Sequence, residues 1–177
     1  MVPFEAQCMR PSLSDLMRIL NLKPLEPEGG FFIETYRTVE KIDARQFGLG
    51  HCGTRSLSTA IYYLLTPESF SAIHKVPGDE IFHFYAGDPV EMLELHADGS
   101  GGVTTLGPDM GAGMKFQHIV KGGVWQGARL VAGGEYALLG TTMAPGFDYA
   151  DFSKGKADEL AATYPAHEEL IRELLRG

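Results

Sequence analysis

The sequence predicts an all-β fold, a barrel or sandwich of short strands with helices confined to its two ends. Three observations carry this. Short apolar, aromatic and β-branched runs follow one another from about residue 28 to about residue 145, each closed by Gly or Pro. Long helical patterns do not alternate with them, which disfavours a doubly wound α/β sheet. Apolar residues at helical spacing stand instead near the chain's start, at about 12–22, and in its tail, at about 153–177.

Ser12 is placed to cap the first helix, and Leu13, Leu16, Met17 and Leu20 form its apolar face. Pro24 and Pro27 end it, and Gly29-Gly30 opens a turn. "FFIETYRTV" (31–39) reads as a strand, "RQFGLGHCGTRS" as a glycine-containing loop and "LSTAIYYLLT" (57–66) as a strong strand stopped by Pro67. "SAIHKV", "EIFHFYAG", "VEMLELHA", "GVTTLG", "KFQHIV", "VWQGARLVA" and "EYALLGTTMA" follow as strands between Gly- and Pro-rich turns. "GPDMGAGM" (107–114) fits neither GxGxxG nor GxxxxGK[ST] and reads as a loop. In "PGFDYADF" (145–152), Phe147 and Asp148 are candidates for a pocket rim, and Asp151 or Ser153 is the expected cap of the following helix. In the tail, Leu170, Ile171, Leu174 and Leu175 make an apolar stripe with Pro165 near its start.

With 177 residues the chain suits one domain with its own core. The formal net charge is -8, from 15 Lys+Arg against 23 Asp+Glu, which argues against nucleic acid and against an anionic membrane surface as partners. No apolar run approaches the roughly 20 residues of a membrane span, and the first residues carry no apolar stretch of a secretory signal. Cys8 and Cys52 are far apart and belong to no CxxC, as expected of unpaired thiols in a reduced, cytoplasmic protein. No GxSxG elbow places a serine nucleophile.

The chemistry concentrates in "HKVPGDEIFHFYAG" (74–87), where His74 and Glu80 stand six positions apart on either side of a Pro-Gly turn. This stretch resembles the first motif of the cupin superfamily, G-x5-H-x-H-x3,4-E-x6-G, with His74, Val76, Glu80 and Gly87 at the H, second H, E and closing G positions and Glu68 in place of the leading glycine. "KGGVWQGARL" resembles the second motif, with Lys121, Gly123, Gln126 and Leu130 at its P, G, H and N positions. Together with "EGGFFIETYRT", "STAIYYLL" and "GTTMAPGFDYADF", these blocks resemble the cupin_5 branch, a domain of unknown function sometimes labelled sugar-epimerase-like.

The resemblance implies a cupin double-stranded β-helix, a jelly-roll barrel with short N- and C-terminal helices, spanning residues 1–177 as a single domain. It also implies a homodimer in which N-terminal strand material contributes to the contact. Three roles stand open for His74 and Glu80. A metal cupin uses three histidines and a glutamate, but Val76 offers no donor and Gln126 only an amide, so no tightly held metal and no cofactor are predicted. His83 lies on the strand face opposite Glu80, Phe82 and Phe84, and His118 matches no motif position. Metal-free acid–base chemistry would make His74, supported by Glu80, the general base of a sugar or sugar-nucleotide epimerase or isomerase, by analogy of fold. That chemistry wants a tyrosine acid, and Tyr36, Tyr62, Tyr63, Tyr85 and Tyr136 all read as strand residues with packing roles. Binding without turnover would use His74, Glu80, Phe82, Phe84 and Gln126 around a small polar or sugar-like ligand. The plainer alternative is that His74 and Glu80 only satisfy each other inside the barrel. Trp125 should point away from the cavity.

Overall fold

The computed structural model describes residues 10–48 and 53–176, so Cys8 and Cys52 lie outside the described residues. Helix α1 (Leu13–Leu20) begins where the Ser12 side chain accepts a hydrogen bond from the Asp15 amide, and stops at Asn21 in the left-handed conformation. Thirteen strands follow among the described residues: β1 (Lys23–Pro24), β2 (Phe31–Arg37), β3 (Lys41–Asp43), β4 (Thr54–Ser56), β5 (Thr59–Leu65), β6 (Phe70–Lys75), β7 (Glu80–Gly87), β8 (Val90–Leu95), β9 (Gly101–Leu106), β10 (Gln117–Val120), β11 (Trp125–Leu130), β12 (Ala137–Met143) and β13 (Ser153–Lys154). Helices α2 (Ala157–Thr163) and α3 (Glu168–Glu173) close the chain.

The strands form a six-stranded sheet in the order β1-β2-β5-β12-β7-β10 and a five-stranded sheet in the order β13-β6-β11-β8-β9, with β3 and β4 as a separate hairpin. Every pairing between these strands is antiparallel. Strand alternation sends Tyr63, Leu65, Phe82, Val90, Met92 and Leu139 into one cluster between the two sheets. The opposite face of the five-stranded sheet, at Ile73, Leu93 and Leu95, is covered by Leu160, Tyr164, Ile171 and Leu174 of the C-terminal helices. Ile171 and Leu174 are fully buried there, worth about 1.5–3 kcal/mol each relative to exposure. Trp125 packs against this outer cluster, with the Lys75 ammonium 4.4 Å from its ring centre. The outer face of the six-stranded sheet is covered in part by α1 through Leu16.

The tail departs from the expected pattern at its start. Residues 153–154 are strand, paired with β6, and helix begins only at Ala157. Ser153 therefore caps nothing, and the Asp151 carboxylate is spent on a buried ion pair with Arg55. Asp148 supplies the cap instead, accepting from the Ala150 amide at the head of a short 3-10 turn, Tyr149–Asp151. Tyr136 sits one residue before β12 rather than within it.

Candidate functional site

Between the sheets, at one end of the barrel, lies a cavity of about 470 Å³. Two irregularities of strand pairing build it. On β6 the register against β11 runs from Gln126↔His74 to Ala128↔Ser71, so three steps of β6 face two of β11. This bulge turns both Ser71 and His74 inward, an outcome that plain alternation forbids. On β2 the pairing with β5 runs from Glu34↔Ile61 to Tyr36↔Ala60, leaving Thr35 as the extra residue. Arg37 then pairs with Thr59 and faces the cavity beside Glu34, while Tyr36 turns out and is exposed. Bulges next to a binding site commonly re-aim a side chain in this way.

The floor is polar. His74 is 3 % exposed and its Nδ1 is 2.8 Å from the carbonyl of Ala72, within the bulge. A carbonyl only accepts, so Nδ1 carries a proton, and whenever the ring is neutral the lone pair sits on Nε2. The imidazole is held flat by Phe152, stacked at 5.1 Å between ring centres. Nε2 has Gln126 Nε2 at 3.5 Å and Glu28 Oε2 at 3.9 Å. Gln126, on β11, donates a 2.7 Å hydrogen bond to Glu80 Oε2, and its own Oε1 is buried without a partner. Burial raises the Glu80 carboxyl above its ordinary pKa, and the neighbouring His74 pulls it partly back.

Glu28 reaches the floor from the turn before β2. Ser71 donates to its Oε1 at 2.8 Å, the Ala72 amide donates to its backbone carbonyl, and the Tyr63 hydroxyl donates to the carbonyl of Gly29 at 2.9 Å. The turn presses so closely on β6 that a Cβ at Gly29 would lie 2.3 Å from the Phe70 carbonyl oxygen, and Gly29 has φ +105°; glycine meets both demands. Leu25, Phe32, Ile61 and Met143 make the apolar walls. At the mouth, Arg37 is bound through Nε and Nη2 to Glu34 and through Nη1 to the Phe147 carbonyl at 3.1 Å, and Asp148 and Tyr149 complete the rim. Burial, with the charge of Glu28 as a smaller cause, raises the Tyr149 hydroxyl.

His74, Glu80 and Gln126 thus meet at one place, His74 and Glu80 lining the cavity and Gln126 standing behind them in contact with both. Phe82 and Phe84 point into the same interior but not into the cavity; they fill the closed half of the barrel, Phe82 at 2 % exposure. His83 lies on the other face, hydrogen-bonded to Thr142 and stacked on Tyr85, and His118 pairs with Glu94 at 2.5 Å. Sequence reasoning missed Glu28, Glu34, Arg37, Tyr63 and Tyr149 as lining residues. The glycine pair after Glu28, which reads in the sequence as the opening of a turn, is the one local signal for this close approach, and it does not say which residue the turn delivers to the cavity.

A two-sheet antiparallel barrel with a polar cavity at one end, floored by a histidine and a glutamate from consecutive strands of the two facing sheets, defines a cupin-type protein. The chain belongs to the Cupin_5 family of the cupin superfamily (DUF985), whose sequence model matches residues 14–154. It is 34% identical over 144 residues to an uncharacterised protein of Saccharomyces cerevisiae, covering 75% of this chain and 71% of the yeast protein. A hypothetical protein from Leishmania major superposes with a TM-score of 0.82 at 30% identity, over 92% of this chain and 98% of that one. A protein from Shewanella oneidensis gives 0.82 at 29%, over 94% and 98%.

The donors at the matched cupin positions do not fit the three-histidine, one-glutamate metal set. Val76 has no donor atom and is buried outside the cavity, and the Gln126 amide turns its NH2 toward Glu80. Among the described residues no three His, Cys, Asp or Glu side chains are grouped to hold a metal ion.

Proposed function

We propose that this protein binds a small polar, sugar-like molecule in the barrel cavity. The observation that supports this is the combination of an enclosed volume in the range of small-molecule sites with apolar walls and a few convergent polar groups on its floor, chiefly His74, Glu80 and Glu28. A His–Glu pair that served only to satisfy itself would not need a second carboxylate held beside it by Ser71. The test is a thermal-shift screen of free sugars, sugar phosphates and keto-sugar nucleotides. Stabilisation by one of them that is lost in both His74→Ala and Glu80→Ala supports the reading, and no response from any member overturns it.

A second reading, metal-independent epimerisation or isomerisation with His74 as general base, is favoured by one specific feature. The Nδ1–H bond to Ala72 leaves the basic Nε2 on the cavity side, as a proton-abstracting imidazole requires. Tyr63 and Tyr149 bring phenol groups into the same cavity. In deuterated buffer an epimerase substrate takes up deuterium at the carbon that loses its proton, and His74→Ala slows this by about 10²–10⁴-fold. Absence of uptake from every ligand that stabilises the protein leaves binding alone.

We further propose a cytoplasmic homodimer. Tyr36, Tyr85 and Ile119 lie exposed on the part of the six-stranded sheet that α1 leaves uncovered, and a symmetric contact there would bury them. No helix among the described residues is long and apolar enough to cross a membrane.

A further inference from the structure

The cavity's charge and hydrogen-bonding inventory narrow the ligand beyond "polar". Among the described residues its carboxylates are Glu28 and Glu80 on the floor and Glu34 and Asp148 at the mouth, against one permanent cation, Arg37. That guanidinium is already held in a two-point contact by Glu34 and donates its remaining face to the Phe147 carbonyl. A phosphate entering the mouth would have to displace Glu34 and would still face Asp148 and Glu28.

The floor tells the same story independently of charge. Four donors at or behind it are committed inside the protein: the His74 Nδ1–H to Ala72, the Ser71 hydroxyl to Glu28, the Tyr63 hydroxyl to Gly29, and the Gln126 NH2 to Glu80. Its acceptors are in surplus. Glu28 Oε2 is 3.9 Å from His74 Nε2, beyond hydrogen-bonding reach, and Gln126 Oε1, on a side chain 2 % exposed that touches both His74 and Glu80, has no partner. A buried acceptor without a donor is costly, and Gln126 Oε1 stands just behind the floor, which the Glu28 and Glu80 carboxylates line. A ligand rich in N–H or O–H donors suits the Glu28 and Glu80 carboxylates that line this floor. The neighbouring carboxylates favour the one that is also positive. At the mouth, the Phe147 and Tyr149 rings, edge to face at 5.1 Å, offer the kind of surface to which a cation is drawn.

We infer that the cavity selects an aminated polyol, a sugar-like molecule carrying a protonated amine, and rejects phosphorylated and nucleotide-linked sugars. The inference rests on the reading of the cavity as a small-molecule site, and one experiment separates the two. Matched trios of glucosamine, glucose and glucose 6-phosphate, with the corresponding galactose and mannose sets, are titrated calorimetrically near neutral pH at fixed ionic strength. An amino sugar binds about tenfold more tightly than its hydroxyl counterpart, as expected when a neutral hydrogen bond becomes a charged one, and no phosphate ester binds. Glu28→Gln, which keeps the Ser71 contact, weakens the amino sugar about tenfold more than its hydroxyl counterpart and so removes the preference for the amine; if that variant does not fold, Asp148→Asn at the mouth reduces the same preference. Hydroxyl sugars binding as well as amino sugars, or a phosphate ester binding best, overturns the inference and leaves the site reading standing. Failure of every member to bind overturns both.

Discussion

The segment from Phe147 to Phe152 gives the cavity its rim at Phe147, Asp148 and Tyr149 and supplies the ring stacked on His74, and the Arg55–Asp151 pair ties this segment to β4. Arg55 Nε and Nη2 donate to the two Asp151 oxygens at 2.7 and 2.6 Å, and both side chains are only 5% exposed. Replacing Asp151 with Ala takes the two-point carboxylate partner from a guanidinium in a dry setting. Removing one partner of a buried pair costs about 3–5 kcal/mol, and for a chain of this size each kcal/mol moves Tm by about 2–4 °C, so the expected loss is about 6–20 °C. The pair need not be worth that much in itself. Replacing both residues, as in Arg55→Met with Asp151→Leu, should recover most of the loss, because neither charge then remains to be desolvated. Chemical denaturation of the four proteins of the cycle measures this, and titration of whichever sugar binds the wild type measures the rim. The Asp151→Ala protein should bind more weakly even at temperatures where it is folded, since Tyr149 and Phe152 lose their anchor. A Tm change of a degree or less with unchanged affinity would refute the assigned role of this pair.

Glu80→Gln should stabilise the protein at neutral pH. Burial raises the folded-state pKa of this carboxyl, so its favourable contribution is complete below the unfolded value, ~4.3, and is lost as pH rises through the folded one. The variant's Tm advantage should therefore shrink to nothing on acidification, and an advantage independent of pH would contradict the burial argument. Elemental analysis of tag-free, dialysed protein should find Fe, Mn, Ni and Zn well below one per chain, because Val76 and Gln126 replace two of the four cupin ligands. Light scattering at micromolar concentration should give a dimer mass, and a monomer mass would remove the proposed contact through Tyr36, Tyr85 and Ile119.

The strands of the barrel and its inward face were legible because they rest on local chemistry. Gly and Pro close the strands, and a period of two carries Glu80, Phe82 and Phe84 to one side and His83 to the other. The same rule could not say how far along that face the cavity ends, and so Phe82 and Phe84 were expected at the ligand when they lie in the packed half. Nor could it find Arg37. Counting by twos from Phe32 leads through Glu34 to Tyr36, and only the extra residue Thr35, set by pairing with a strand more than twenty positions away, exchanges the tyrosine for the arginine. Ser71 and His74 show the same thing on β6: three positions apart, they should oppose each other, and the bulge lets them share a side. Glu28 was hidden for a further reason, since it belongs to a turn whose place against β6 is decided by the close approach of Gly29. Motif spacing could therefore recover His74, Glu80 and Gln126, which sit at positions the family fold fixes. The residues that give this cavity its acceptor-rich floor and acidic mouth depend on two breaks in strand register, and such breaks are decided by contacts between strands that are distant in the chain.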